Sequence, residues 1–264
     1  MKTVSVRDTV FGEGLAKICI PVTARNMEEL EQQLEGLTEE PWDLVEWRAD
    51  FFEEGLRKHT CEEKDTGWYM QPLRRIRDAA ADRPLLFTFR TKQEGGEREI
   101  SLEEYEQLNE SVAASGLADL IDIEINRGEE LFERLTEKVH AQNSLCGRGV
   151  CTVGSFHDFY TTLPRHKIVE TLCRMQQLGA DLTKAAVMPR EERDVLTLLE
   201  AALDMKKQFA DRPFITMSMG KMGAVSRICG TLSGSAVTFA TAGRASAPGQ
   251  LDARTVEGIL KKLS

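Results

Sequence analysis

The sequence predicts a (β/α)8 barrel of the TIM type, one domain over residues 1–264, with a short N-terminal β-hairpin capping the barrel bottom. Three observations lead there. Short apolar runs rich in β-branched and aromatic residues recur eight times along the chain. Between them lie amphipathic stretches whose apolar residues return about every 3.6 positions, the mark of a helix with one buried face. Strands alternating with helices imply a parallel sheet, and eight such units in roughly 250 residues fit a closed barrel better than an open doubly wound sheet. An open sheet of that kind also carries a glycine-rich first turn, whereas the first turn here reads Thr23-Ala24-Arg25-Asn26.

Taken in order, residues 3–10 alternate and lead into Phe11-Gly12-Glu13-Gly14, which predicts the hairpin. Strands are predicted at 17–24, 44–50, 84–90, 120–125, 149–157, 181–189, 213–220 and 236–240. Helical spacing covers 27–37, 102–115, 165–178 and 195–209, and a last helix at 252–263 closes the chain. The longest polar stretch, 53–67, lies between periodic segments and reads as a loop or a helix edge. No run rich in Pro, Gly or Ser offers a linker between domains.

Composition narrows the function. A formal net charge of -9 disfavours nucleic acid, whose phosphates need clustered Lys and Arg. Residues 1–14 lack the apolar run of a signal peptide, and no window approaches the roughly 20 apolar residues that span a bilayer, so a cytoplasmic protein without a membrane partner is expected. The six cysteines show no Cys-x-x-Cys spacing and the four histidines no ligand spacing, so neither a disulfide framework nor a metal site is predicted. His59, His140 and His166 fall in polar or helix-edge contexts and read as surface residues.

Charges appear where barrel strands should be apolar. In Leu44-Val45-Glu46-Trp47-Arg48-Ala49-Asp50, alternation puts Glu46, Arg48 and Asp50 on one face and the apolar residues on the other, which must meet the helices. The charges then point inward near the carboxyl end, where barrel enzymes carry their active sites. Arg90 and His157 end their strands, and Asp122 and Glu124 alternate with isoleucines; for Asp50, Asp122 and Glu124 a structural ion pair is the simpler role. Lys184 sits in Leu182-Thr183-Lys184-Ala185-Ala186-Val187-Met188 with no evident carboxylate beside it. A lysine buried without a partner gives up its proton more readily than a solvated one, and a neutral amine attacks ketones to form imines. His157 has the chemistry to remove the proton that an imine acidifies. Taken alone, Lys184 could be a strand-end lysine that snorkels, and His157 a core histidine. The residues by themselves lead to a barrel with a polar mouth, and not to a substrate.

Longer motifs go further. Glu46-Trp47-Arg48, Phe87-Thr88-Phe89-Arg90 followed by Glu94-Gly95-Gly96, and Ser155-Phe156-His157-Asp158-Phe159 resemble signatures of the type I 3-dehydroquinate dehydratases. Gly179-Ala180-Asp181 leading to Lys184, Ile215 to Gly220, Ser226-Arg227 and Ala245 to Gln250 continue the likeness in the family's order over almost the whole chain. The resemblance implies a lyase of the shikimate pathway that eliminates water from 3-dehydroquinate in the syn sense, giving 3-dehydroshikimate with neither metal nor organic cofactor. It implies that Lys184 forms the imine, that His157 moves the protons and that Glu94 supports the histidine. By the same likeness Glu46, Arg48 and Arg90 hold substrate hydroxyls, and Arg227 takes the carboxylate with Ser246 and Gln250 closing over it. Met217, Met219 and Phe239 supply apolar walls or core filling. A homodimer is the family's expectation. Pro21 departs from relatives with serine there, so a contact from that side chain is lost.

Two other readings stay open. A class I aldolase also uses a barrel lysine, but needs a phosphate or aldehyde site that these motifs do not suggest. A non-catalytic metabolite sensor derived from the fold could keep the pocket, yet binding alone has no use for both Lys184 and His157.

Overall fold

A strand inside a parallel sheet is covered on both faces, so its side chains must serve two cores. The computed structural model describes residues 2–53, 67–146, 149–243 and 249–263, side chains 143–146 excepted. It meets that demand with a ring of eight parallel strands: β3 (Lys17–Val22), β4 (Leu44–Arg48), β5 (Leu85–Thr88), β6 (Leu120–Glu124), β7 (Cys151–Asp158), β8 (Leu182–Val187), β9 (Phe214–Ser218) and β10 (Val237–Phe239). Each falls inside or within a residue of its predicted run. Consecutive strands pair from β3 to β9, and β10 returns to β3. Closure between β9 and β10 rests on Ala236 N–H to Phe214 O at 2.8 Å and Thr216 N–H to Ser235 Oγ at 3.0 Å.

The helices follow the predicted alternation: α1 (Met27–Leu37), α2 (Met70–Ala80), α3 (Leu102–Ser115), α4 (Glu129–Cys146), α5 (Arg165–Gln177), α6 (Glu192–Asp204), α7 (Val225–Ile228), α8 (Gly230–Ser233) and α9 (Ala253–Lys262). Side-chain caps set their starts where the sequence supplies them. Asn26 accepts from Glu29 N–H at α1, and Ser101 with Glu104 forms a reciprocal capping box at α3. The last predicted segment before β9 does not stay α-helical: α6 gives way to a π-helical turn, Met205–Phe209. Among the described residues no helix is long and apolar enough to cross a membrane. Most of the polar stretch at 53–67, with His59 and Cys61, lies outside the described residues.

Alternation sorts the strand residues into the two cores. Val45, Trp47, Phe87, Ile121, Ile123 and Ala185 face outward and pack under the helices. Buried apolar residues low on the inward face make a floor: Cys19, Leu44, Leu86 and Leu120 from β3 to β6, then Val153, Leu182, Ile215 and Val237 from β7 to β10. Val6 and Phe11 of the hairpin, β1 (Val4–Val6) and β2 (Thr9–Phe11), belong to the same cluster, so the hairpin caps the barrel bottom as expected. Its turn is not in the glycines of Phe11-Gly12-Glu13-Gly14 but at Arg7-Asp8, with Arg7 at φ 51°. Arg7 Nε is tied to Asp119 at 2.7 Å, and Asp119 also accepts from Arg77 at 2.6 Å and from Leu85 N–H at 2.9 Å. That carboxylate fastens the cap to the ring.

Helix packs closely on sheet at Gly154 of β7, where a Cβ would lie 2.7 Å from Phe132 Cζ and 3.1 Å from the Cβ atoms of Ala180 and Met175. Gly154→Ala is expected to lower stability by about 1–3 kcal/mol through overpacking. The midpoint of urea unfolding measures it; an unchanged midpoint would mean that the helix layer gives way at this point.

Candidate active site

Two residues beyond each floor position, the side chains change character. The next inward set is Pro21, Glu46, Thr88 and Asp122 on β3 to β6, and Ser155, Lys184, Met217 and Phe239 on β7 to β10. One step further come Arg48, Arg90, Glu124, His157, Ala186 and Met219. The polar mouth is therefore the upper half of the same period-two pattern that builds the floor.

Arg90 organises this mouth. Its Nη2 donates to Asp122 Oδ2 at 2.8 Å, and its Nη1 donates to Glu124 Oε1 at 2.7 Å and Ser155 Oγ at 3.1 Å, with Glu94 Oε2 at 3.5 Å. Ser155 in turn donates to Asp122 Oδ1 at 2.6 Å. Burial works against the guanidinium's charge, but Asp122, Glu124 and Glu94 outweigh it and hold the charge more firmly than in water. Arg48 forms a fork-to-fork pair with Asp50, both bonds at 2.8 Å. Asp50 does not point into the barrel as alternation predicts. The strand ends at Arg48, and Asp50 lies in the 3-10 turn Ala49–Phe51, where its carboxylate also receives the backbone N–H groups of Arg90 and Glu97. Asp50, Asp122 and Glu124 are thus ion-paired supports, as the simpler reading had it.

Lys184 differs from expectation. Its Nζ is 3.7 Å from Glu46 Oε1 and 3.8 Å from Asp122 Oδ2, with the Phe239 ring centroid at 4.5 Å. Both carboxylates come from other strands, so sequence neighbours could not reveal them. Glu46 also accepts from Thr88 Oγ1 at 2.9 Å.

His157 Nδ1 is 2.8 Å from Glu94 Oε2. Burial, with the positive charges of Arg90, Lys184 and Arg48, pushes the imidazole well below its usual value. Burial, with Glu124's negative charge, pushes the Glu94 carboxyl up. A neutral imidazole with Nδ1–H directed at Glu94 leaves Nε2 as a proton acceptor. Glu94 sits on the 3-10 turn Lys92–Glu94, followed by Gly95 at φ 81°. A Cβ there would come within 2.3 Å of the Phe159 ring, so only glycine lets that ring lie against the loop and hold Glu94 at the histidine.

One cavity, open to solvent, gathers these groups. Glu46, Arg48, Arg90, Glu94, His157 and Lys184 line it, and so do Met217, Met219, Arg227, Phe239 and Gln250. The three apolar residues serve both uses foreseen for them, as cavity wall and as part of the inner core. Ser246 lies outside the described residues. Arg227 reaches the cavity from α7, its Nη1 donating to Phe239 O at 3.3 Å, and burial lowers its pKa to about 10. Pro21, Ala186 and Phe159 complete the lining; the sequence signal for Phe159 is its position two residues past His157. His140 is not a plain surface residue: it is half-buried on α4, its Nε2 2.8 Å from Asp181 Oδ2. Cys19, Cys151, Cys173 and Cys229 are free thiols.

A family model described as type I 3-dehydroquinase matches residues 18–264. The chain belongs to the type I 3-dehydroquinase family. The chain is 45% identical over 263 residues to a 3-dehydroquinate dehydratase of Syntrophotalea carbinolica, covering 100% of this chain and 98% of that protein. It is 45% identical to one of Klebsiella pneumoniae, covering 99% and 98%. The crystal structure of the type I 3-dehydroquinate dehydratase from Clostridium difficile with covalently modified comenic acid superposes with a TM-score of 0.90 at 42% identity, covering 99% of this chain and 98% of that one.

Two measurements check the site's electrostatics. Nuclear magnetic resonance of labelled histidine should show His157 titrating below about 6.5, the ordinary imidazole value. His140 should titrate above it, because the hydrogen bond to Asp181 favours the charged ring. The reverse order would contradict the pairing described. Arg90→Met leaves Asp122 and Glu124 buried without their cation and should cost about 3–5 kcal/mol in urea unfolding, with Arg90→Lys losing less.

Proposed function

We propose that this enzyme is a hydro-lyase that converts 3-dehydroquinate to 3-dehydroshikimate through an imine on Lys184, with His157 moving the protons. The observation that supports it most is that a buried lysine and a half-buried, neutral histidine line one cavity from adjacent strands, β8 and β7. Lys184 attacks the C3 ketone, and the protonated imine draws electrons from C2. His157 Nε2 takes the C2 proton and delivers one to the C1 hydroxyl as it leaves. One group performing both transfers acts on one face of the ring, which gives syn elimination. Glu94 keeps the ring oriented.

Glu46, Arg48 and Arg90 supply polar contacts to the substrate hydroxyls, and Arg227 pairs with the carboxylate while Ser246 and Gln250 close over that end. Pro21 offers no hydroxyl there, so that part of the ring is held from the other strands. No step calls for a metal or an organic cofactor. The same reading has one catalytic domain over residues 1–264, acting in the cytoplasm as a homodimer. With a net charge of -9, the partner is a small molecule and not nucleic acid.

Borohydride treatment with 3-dehydroquinate, followed by peptide mapping, should place a ligand-dependent adduct on Lys184. Lys184→Ala should abolish turnover while substrate still binds, and His157→Ala should lower kcat by roughly 10² to 10⁴-fold with the imine accumulating. Full activity in Lys184→Ala would rule out the mechanism.

A further inference from the structure

The bond from His157 Nδ1 to Glu94 sets the tautomer and the direction of the imidazole, so whatever fixes Glu94 also fixes the line along which Nε2 meets a substrate. Arg90 ties the Glu94 carboxylate only weakly, at 3.5 Å, the outer limit of a hydrogen bond. Glu94 takes its place mainly from the loop that carries it, residues 91–98. That loop is closed at its base, Lys92 N–H donating to Arg98 O at 2.9 Å and Gly96 N–H to Thr91 O at 2.8 Å. It is fastened on two sides. Toward β6, Thr91 gives its N–H and its hydroxyl to Glu124, at 2.9 Å and 2.6 Å. Toward β4, the fastening is Arg98. Its Nε donates to Asp50 O and its Nη2 to Ala49 O, both at 2.7 Å, and the guanidinium lies 5.3 Å from the Trp68 ring centroid and 5.5 Å from that of Phe89. Glu97 N–H adds a bond to Asp50 Oδ2 at 3.1 Å. Two successive carbonyls suit the fixed fork of a guanidinium, and its flat face suits the rings; an ammonium fits neither as well. Arg98 does not line the cavity.

Building on the reading above in which His157 moves the protons, we propose that Arg98 is a positioning residue for those transfers: it locks the loop 91–98 to the 3-10 turn Ala49–Phe51, and the lock holds Glu94 against His157. The turn follows Arg48 directly, so the loop is anchored to the end of β4. Without Arg98, Glu97 N–H is the remaining bond from the loop to that turn, and the loop can tilt about Thr91. The 2.8 Å contact between Glu94 and Nδ1 then lengthens and the imidazole is free to turn. A misplacement of about 1 Å in a group that orients the reaction costs up to roughly 10²-fold in rate. Arg98 touches no reacting atom, and its effect passes through Glu94.

A double-mutant cycle on kcat with 3-dehydroquinate tests this. Arg98→Met keeps the length of the side chain without its fork or charge. It should lower kcat on the order of 10-fold while KM stays within about threefold of the wild type. In a Glu94→Gln background the same substitution should change kcat by less than about twofold, because the group through which Arg98 acts is already altered. Nuclear magnetic resonance of labelled histidine gives a second readout: His157 should hold the single Nδ1–H tautomer in the wild type and show both tautomers in Arg98→Met. Arg98→Lys, which keeps the charge but not the fork, should lose part of the same rate and serves where the methionine variant does not fold. Wild-type kcat in the Arg98 variants, or an equal loss with and without Glu94→Gln, would overturn the proposal and leave Arg98 a support of the fold alone. Wild-type kcat in Glu94→Gln itself would instead sink the reading of Glu94 as the support of His157.

Discussion

The upper half of the barrel depends on the pairing of buried charge, and above all on Arg90. Glu46, Asp50, Glu94, Asp122 and Glu124 are all buried, in a space that an ordinary barrel would fill with aliphatic side chains. Ionised carboxylates so enclosed are stable only with cations and donors against them. Arg90 meets three of them at once, and the Asp50–Arg48 pair and Lys184 with Glu46 and Asp122 take up the rest. Such pairing adds little to net stability compared with an apolar filling. What it provides is a set of fixed charges around a cavity, with their orientation settled before a substrate enters.

That arrangement stands on an apolar floor made by one inward residue of each strand and sealed from below by Val6 and Phe11. With water kept out from that side, the charged groups above it act at close range and weak screening. The floor also sets the register: a slip of one residue would exchange the inward and outward sets, burying Trp47 and Phe87 in the mouth and turning Glu46 and Thr88 toward the helices. Fold and site are therefore specified by the same alternation.

Within the mouth, two electrostatic environments differ. His157 is touched by one acid, but burial first and the cations around it second keep it neutral and able to accept a proton. Lys184 has two carboxylates within 4 Å, Glu46 and Asp122. The distinction follows from which strands face each other across the ring.

The sequence by itself determined the eight strands, the hairpin, and the residue types at the mouth, because alternation and helical spacing are local and the motifs preserve their order. Lys184, His157 and Arg90 were legible as polar residues in otherwise apolar strands. Other features were decided only by the tertiary structure. The carboxylates beside Lys184 lie on β4 and β6, far away in the chain. Asp50 turns behind Arg48 because the strand ends earlier than alternation suggests. Thr88, Ser155 and Phe159 acquire their roles only where ring closure brings their strands together. Sequence fixes which side chain each strand presents to the interior; closure of the barrel decides which of them meet, since contacts across the ring depend on strand order and stagger and leave no local signal.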